Sequence, residues 1–267
     1  MKGSIQKTFA FILLLLIPCF ILVNFSFFKS KRDLASLFSV DFVHDESAFT
    51  EKPFVFLLYS NETLRTCEQN ISSIMEQKYE NYRIVLMETG NVQCCSNIIK
   101  TMIAKENKSH LLTTFIFEEK RPTIECFQKV LDSLKDDEIV VQLECNDWLS
   151  NNLVLDRLNQ IYSKSPEIWL TYSQFLEYPS YQKGAVDPYL KKMIRNRQNR
   201  KIPWLSSHLK TYYAGLFKQI KPDSRFNYKK ALIQETLDLY FLPLAEYSKH
   251  HIRFIDDVLY VHNASPR

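Results

Sequence analysis

Five short apolar runs, each separated from the next by a segment of helical periodicity, constrain this chain more than any other feature. The runs are "PFVFLLYS" (53–60), "YRIVLME" (82–88), "LTTFIF" (112–117), "EIVVQLE" (138–144) and "EIWLTYSQFLE" (167–177). Each has the length of a strand and little polar alternation, as strands buried on both faces do. Between them, "ETLRTCEQNISSIMEQ" (62–77) places Leu64, Cys67, Ile71 and Ile74 on one helical face, and helices are predicted around 92–106, 123–135 and 152–164. Such alternation predicts an α/β fold with a mainly parallel mixed sheet flanked by helices.

In open sheets of this kind ligands bind outside the carboxyl ends of the strands. Three polar groups fall at such ends: Ser60 and Asn61, Glu88, and the cluster Glu144, Cys145, Asn146, Asp147 followed by Trp148. An acid-and-amide cluster before a helix has two readings. It is a helix cap, or it is an oxygen-rich site for a cation and a phosphate.

The second half is less regular. Residues 178–205 contain Pro179, Gly184, Pro188 and Pro203 and a basic cluster, "KKMIRNRQNRK" (191–201). "HLKTYYAGLFKQI" (208–220) and "YKKALIQETLDLYFLPLAEYSK" (228–249) read as helices, the latter broken near Pro243, and "IRFIDDVLYVHN" (252–263) reads as a strand. With only four glycines, turns must lean on Asn, Asp, Ser and Pro.

No residue from Phe9 to Phe28 is charged, and about 20 apolar residues suffice to cross a bilayer. The expected organisation is a tail at 1–8, a transmembrane signal-anchor at 9–28, a linker at 29–52 and a domain at 53–263. Lys2 and Lys7 flank one side of the anchor; Lys29, Lys31 and Arg32 flank the other. The balance favours a single-pass membrane protein with its domain on the cytoplasmic face. Asn61, Asn70, Asn107 and Asn263 begin glycosylation sequons, and a glycan at Asn61 would block a ligand at the first strand end. Lys and Arg are spread along the chain at a net charge of +4, which suggests no nucleic-acid partner. None of the six cysteines forms a CxxC pair, so neither a zinc site nor a thioredoxin-like motif is expected.

The stretch 53–90 resembles the opening of family 2 glycosyltransferases of the GT-A fold. A first strand is followed by a helix ending in a "SIxxQxY" phrase, here Ser73-Ile74-Met75-Glu76-Gln77-Lys78-Tyr79. "EIVVQLECNDWL" resembles the strand carrying that family's DxD metal motif, usually "DGDDWL". "WLTYSQFLEYPS", "PWLSSHLKTYYAGLFKQI" and "LPLAEYSKHHIRFIDDVLYVHN" resemble later parts of a subset of the family, so the likeness runs over about 53–263. The motif is degenerate. Glu144-Cys145-Asn146 stands in place of DxD, and Met87-Glu88 where two aspartates are common.

The resemblance implies a GT-A glycosyltransferase that moves a sugar from a UDP- or GDP-linked donor to a glycan or lipid-linked acceptor, with inversion. It implies a Mg²⁺ or Mn²⁺ held by Glu144, Asn146 and Asp147, since such an ion neutralises a diphosphate leaving group. Ser60, Asn61, Glu88, Asp147, Trp148 and His208 would contact the nucleotide sugar, His208 from a helix start. Lys210 would meet phosphate, and Trp148 or Trp204 would stack on a sugar or base. Asp238 or Glu235 would be the general base for the acceptor hydroxyl. The basic cluster would meet an anionic lipid surface or a phosphorylated acceptor. The eroded motif also motivates an alternative: a catalytically inactive GT-A-like domain that binds a glycan or protein partner at the membrane.

Overall fold

The computed structural model describes residues 50–60, 67–89, 94–117, 123–186, 208–220 and 241–264. The apolar segment 9–28, Asn61, Trp204, Glu235, Asp238 and the basic cluster at 191–201 lie outside the described residues. Among the described residues no helix is long and apolar enough to cross a membrane.

The alternation produces β1 (Phe54–Ser60), α1 (Cys67–Met75), β2 (Tyr82–Thr89), α2 (Cys94–Lys105), β3 (Leu112–Phe117), α3 (Thr123–Ser133) and β4 (Ile139–Gln142). Then come β5 (Trp148–Leu149), α4 (Val154–Lys164), β6 (Leu170–Tyr178), β7 (Gln182–Lys183), β8 (His208–Tyr213), α5 (Ala214–Gln219), α6 (Phe241–Ser248) and β9 (Ile252–Asn263). The sheet order is β3-β2-β1-β4-β8-β6-β9-β5, with β7 paired to β6.

The two halves of the sheet differ. β3, β2, β1 and β4 are parallel, with Ser60 level with Glu88. β8 then enters antiparallel between β4 and β6, and β6 runs parallel to β9. Period-2 side-chain alternation gives each face its own core. Phe54, Phe56 and Leu58 pack with α1, α2 and α4, whereas Val55 and Leu57 pack with α3, α5 and α6. Each of these fully buried side chains stabilises the fold by about 1.5–3 kcal/mol.

One element differs from expectation. Residues 208–220 do not form one helix: 208–213 are strand β8, and only 214–219 are helical. The cause is position. β8 lies inside the sheet and Leu209 to Tyr212 are all buried, so the polar alternation that marks a half-exposed strand is missing. The β-branched and aromatic residues Thr211, Tyr212 and Tyr213 suit a strand. The change from strand to helix also demands a glycine. A Cβ on Gly215 would sit 2.9 Å from the Asp136 Cβ and 3.0 Å from its carbonyl oxygen.

Candidate functional site

The carboxyl ends of β1, β2 and β4 lie side by side, as the strand order requires. Glu88 is the penultimate residue of β2 and is buried. It accepts a short hydrogen bond from the Ser96 hydroxyl and pairs with Lys100 Nζ at 3.0 Å, both on α2. Ser60 ends β1 beside it in the ladder.

The segment after β4 alternates. Glu144 is exposed and Asn146 half-exposed, while Cys145 and Asp147 are buried. The Asp147 N–H donates to the Glu144 carbonyl at 3.0 Å, closing a turn. Neither Asn146 nor Asp147 caps the following helix. Its N-cap position is Leu153, with no side-chain cap, and Asn151 Oδ1 accepts the Leu153 N–H at 2.9 Å.

Asp147, only 1% exposed, is turned towards β9. Its Oδ1 accepts the Asn263 N–H at 2.8 Å. Its Oδ2 accepts the Tyr260 hydroxyl at 2.5 Å and faces His262 Nδ1 at 3.2 Å. A buried carboxylate needs such partners, because an unpaired charge there is costly. The hydrogen bond that His262 donates to Asp147 raises the His262 pKa above its ordinary value, against burial and with help from the charges of Asp147, Glu144 and Glu177. Because Nδ1 is engaged, the part-exposed His262 ring keeps Nε2 for an outer ligand.

His208 starts β8, not a helix. Its ring stacks on Tyr260 at 4.5 Å and on His262 at 5.2 Å, within about 11° of parallel. The Phe175 ring meets it edge-on at 4.8 Å. Burial pushes His208 well below the ordinary histidine value, assisted by the positive charges of Lys210 and His262. Two neighbouring imidazoles are thus shifted in opposite directions, His208 towards its neutral form and His262 towards its protonated one. Lys210 is buried with Nζ 5.2 Å from the Phe241 ring centre. Trp148 is buried against Tyr178, the rings 5.2 Å apart.

The structure therefore gathers Asp147, His208, Tyr260 and His262 into one cluster, with Glu144 and Asn146 facing outward beside it. Glu88 stands at the same edge of the sheet but is paired to α2. Among the described residues no three His, Cys, Asp or Glu side chains are grouped to hold a metal ion. The residues that present oxygens outward, Glu144 and Asn146, suit only a cation that brings most of its ligands with it, as Mg²⁺ does with phosphates and waters. His262 and Tyr260 were missed from the sequence. "VLYVHN" placed them on one face of a strand, but nothing in it pointed to a carboxylate 115 residues away.

No protein-family model and no curated protein matches the chain. Solved structures do. The S. aureus TarS 1–349 structure is similar at a TM-score of 0.56 and 13% identity, covering 79% of this chain and 60% of that one. The same fragment in complex with UDP-GlcNAc matches at 0.56 and 11%, covering 80% and 59%. Mannosyltransferase PcManGT from Pyrobaculum calidifontis, in complex with GDP-Man and Mn²⁺, matches at 0.55 and 13%, covering 88% and 64%. The chain thus spans about three-fifths of the length of these structures. At such identities the likeness establishes a shared fold: a mixed α/β architecture of the GT-A type.

Proposed function

We propose that the chain is a glycosyltransferase that moves a sugar from a UDP- or GDP-linked donor to a glycan or lipid-linked acceptor, with inversion. The observation that carries this reading is the outward-facing pair Glu144 and Asn146 at the carboxyl edge of a parallel sheet, next to His262, whose Nδ1 faces the buried Asp147 carboxylate at 3.2 Å. An imidazole whose protonated form is favoured by Asp147, beside an exposed carboxylate, suits a diphosphate and the ion that accompanies it. The fold-level likeness supports the reading by analogy.

In this reading Asp147 acts through His262, and His262 Nε2 donates to a diphosphate oxygen. Glu144 and Asn146 would hold a Mg²⁺ or Mn²⁺, which neutralises the leaving group when bound. Ser60, Asn61 and Glu88 would line the nucleoside end, with Glu88 fixed by Ser96 and Lys100. Asp238 or Glu235 would take the acceptor proton. The segment 9–28 would anchor the domain on the cytoplasmic face. Asn70 supports that side. It begins a sequon, yet it is fully buried and both its amide hydrogens are donated to backbone carbonyls, so a glycan there is incompatible with the fold.

The test is a melting scan of the full chain with UDP, GDP or CDP, with and without Mn²⁺. Binding at 100-fold over Kd stabilises by about 2.7 kcal/mol, which is roughly 5–10 °C for a domain of this size. No shift with any nucleotide would reject the reading. The inward turn of both Asp147 and Glu88 favours a second reading, a GT-A-like domain that binds a glycan or protein partner without transfer. That reading expects no nucleotide response but retained partner binding.

A further inference from the structure

The side of α1 that meets the acidic loop is polar. Asn70 and Ser73, three apart, share one face of α1, and Gln77, two residues beyond the helix end, continues the row. Each is bonded to the segment 144–155. The Asn70 amide donates to the Glu144 carbonyl at 2.9 Å and to the Asp147 carbonyl at 2.7 Å. The Ser73 hydroxyl accepts the Leu149 N–H at 3.1 Å and donates to the Asn70 carbonyl at 2.7 Å. Gln77 donates to the Asn151 carbonyl at 2.7 Å and accepts the Leu155 N–H at 3.1 Å. The Lys78 N–H adds a bond to the Asn152 carbonyl at 2.9 Å.

Packing alone does not account for these residue types. Apolar side chains would fill the same space, whereas a buried amide costs free energy unless it is hydrogen-bonded. The bonds also have a direction. One amide grips the two carbonyls at either end of the turn Glu144–Asp147, and the turn's own N–H closes it at 3.0 Å. With both ends pinned, the alternation of side chains between them is fixed: Glu144 and Asn146 out, Cys145 and Asp147 in.

We propose that this face of α1 is the positioning element of the acidic loop, and that Asn70 is a positioning residue that sets Glu144 and Asn146 for the donor diphosphate. The donor clause rests on the proposed function; the clamp itself does not.

The test compares Asn70→Ala with Val130→Ala. Val130 is buried in α3 on the opposite face of the sheet, so its truncation lowers stability without touching the loop. Hydrogen exchange of the full chain and titration with UDP or GDP plus Mn²⁺ are both read. The expected result is exchange at least tenfold faster over 144–155 in Asn70→Ala than in Val130→Ala. Nucleotide binding is expected to weaken at least tenfold in Asn70→Ala alone. Equal exchange over 144–155 in the two variants overturns the clamp. Faster exchange with unchanged affinity overturns the donor role. If the unaltered chain binds neither nucleotide, the donor reading falls and exchange alone decides the clamp. Should Asn70→Ala not fold, Ser73→Ala removes only the acceptor of the Leu149 N–H and the bond to Asn70. Exchange at Leu149 is then expected to rise, and unchanged exchange there overturns the proposal.

Discussion

Replacing Asp147 by asparagine separates a tether from a ligand. The carboxylate holds three partners: the Asn263 N–H at 2.8 Å, the Tyr260 hydroxyl at 2.5 Å and His262 Nδ1 at 3.2 Å. An asparagine can keep Oδ1 for Asn263, but it puts an NH₂ group where Oδ2 stood. Tyr260 can rotate its hydroxyl and accept. His262 must give up the Nδ1 proton. A hydrogen bond to a charged group contributes roughly 1.5–3 kcal/mol and a neutral one about 1, so each of the three loses about 1 kcal/mol. The expected loss is about 2–4 kcal/mol, or roughly 5–15 °C in Tm for a domain of this size. The loss also depends on pH. His262 is raised in the folded state by Asp147, so the stability it contributes is complete below its ordinary value of 6.5 and is lost as pH rises through the raised value. Urea unfolding at pH 6 and pH 8.5 should therefore show the larger deficit at pH 6. The pH-dependent part is the smaller one, since the His262 side chain is 36% exposed and solvent screens it. A deficit below about 0.5 kcal/mol, together with lost nucleotide binding, would refute the tether and make Asp147 a ligand.

Gly184→Ala would put a Cβ 1.9 Å from the Phe175 ring. The ring that edges His208 must then move, and calorimetry should show a loss of about 1–3 kcal/mol; an unchanged Tm would mean that the ring yields freely. Burial pushes the Glu138 carboxyl up, but Arg83 and the Lys135 N–H more than offset this, leaving it below its ordinary value of 4.5. Its stabilisation is complete above that value and is lost as pH falls through the depressed one. Arg83→Met should thus destabilise at pH 7 and flatten the acid limb of the Tm–pH curve, and an unaltered limb would contradict the assignment. His208 has the opposite sign to His262. Its contribution is complete above about 6.5 and falls as pH drops through the depressed value, so His208→Phe should remove part of the acid-side loss while His262→Gln removes part of the alkaline-side one.

The parallel half of the sheet was legible because β1, β2 and β4 are continuous apolar runs separated by helices with one apolar face. β8 was not. Its burial inside the sheet erases the polar alternation that would have marked it, and its pairing with β4 joins residues about 70 positions apart. The acidic loop was legible in place but not in orientation. "ECND" says that oxygens stand at a strand end. That Asp147 turns inward is decided by Asn70 before it and by Tyr260, His262 and Asn263 after it, none of which is near in sequence. Glu88 was likewise legible as a strand-end acid, while its pairing with Ser96 and Lys100 depends on how α2 lies on the sheet. For the base candidates Asp238 and Glu235, the expectation still rests on the resemblance alone.

Asp147 lies 116 positions before Asn263, and that separation orders events during synthesis. The four parallel strands can pair once residue 142 has left the ribosome, because all of them lie before that point in the chain. The acidic loop cannot settle then. Until the last strand arrives, burying Asp147 means burying a charge without a partner, so the loop must stay open to solvent. A nascent chain stalled between β8 and β9 would therefore carry a sheet lacking its last strand, with one unlatched corner, and proteolysis of arrested chains should cut near 144–150 until residue 263 is exposed. The same latch makes the corner a check on completeness: translation errors or breaks that lose β9 leave a domain that is folded in outline and open where a substrate would sit.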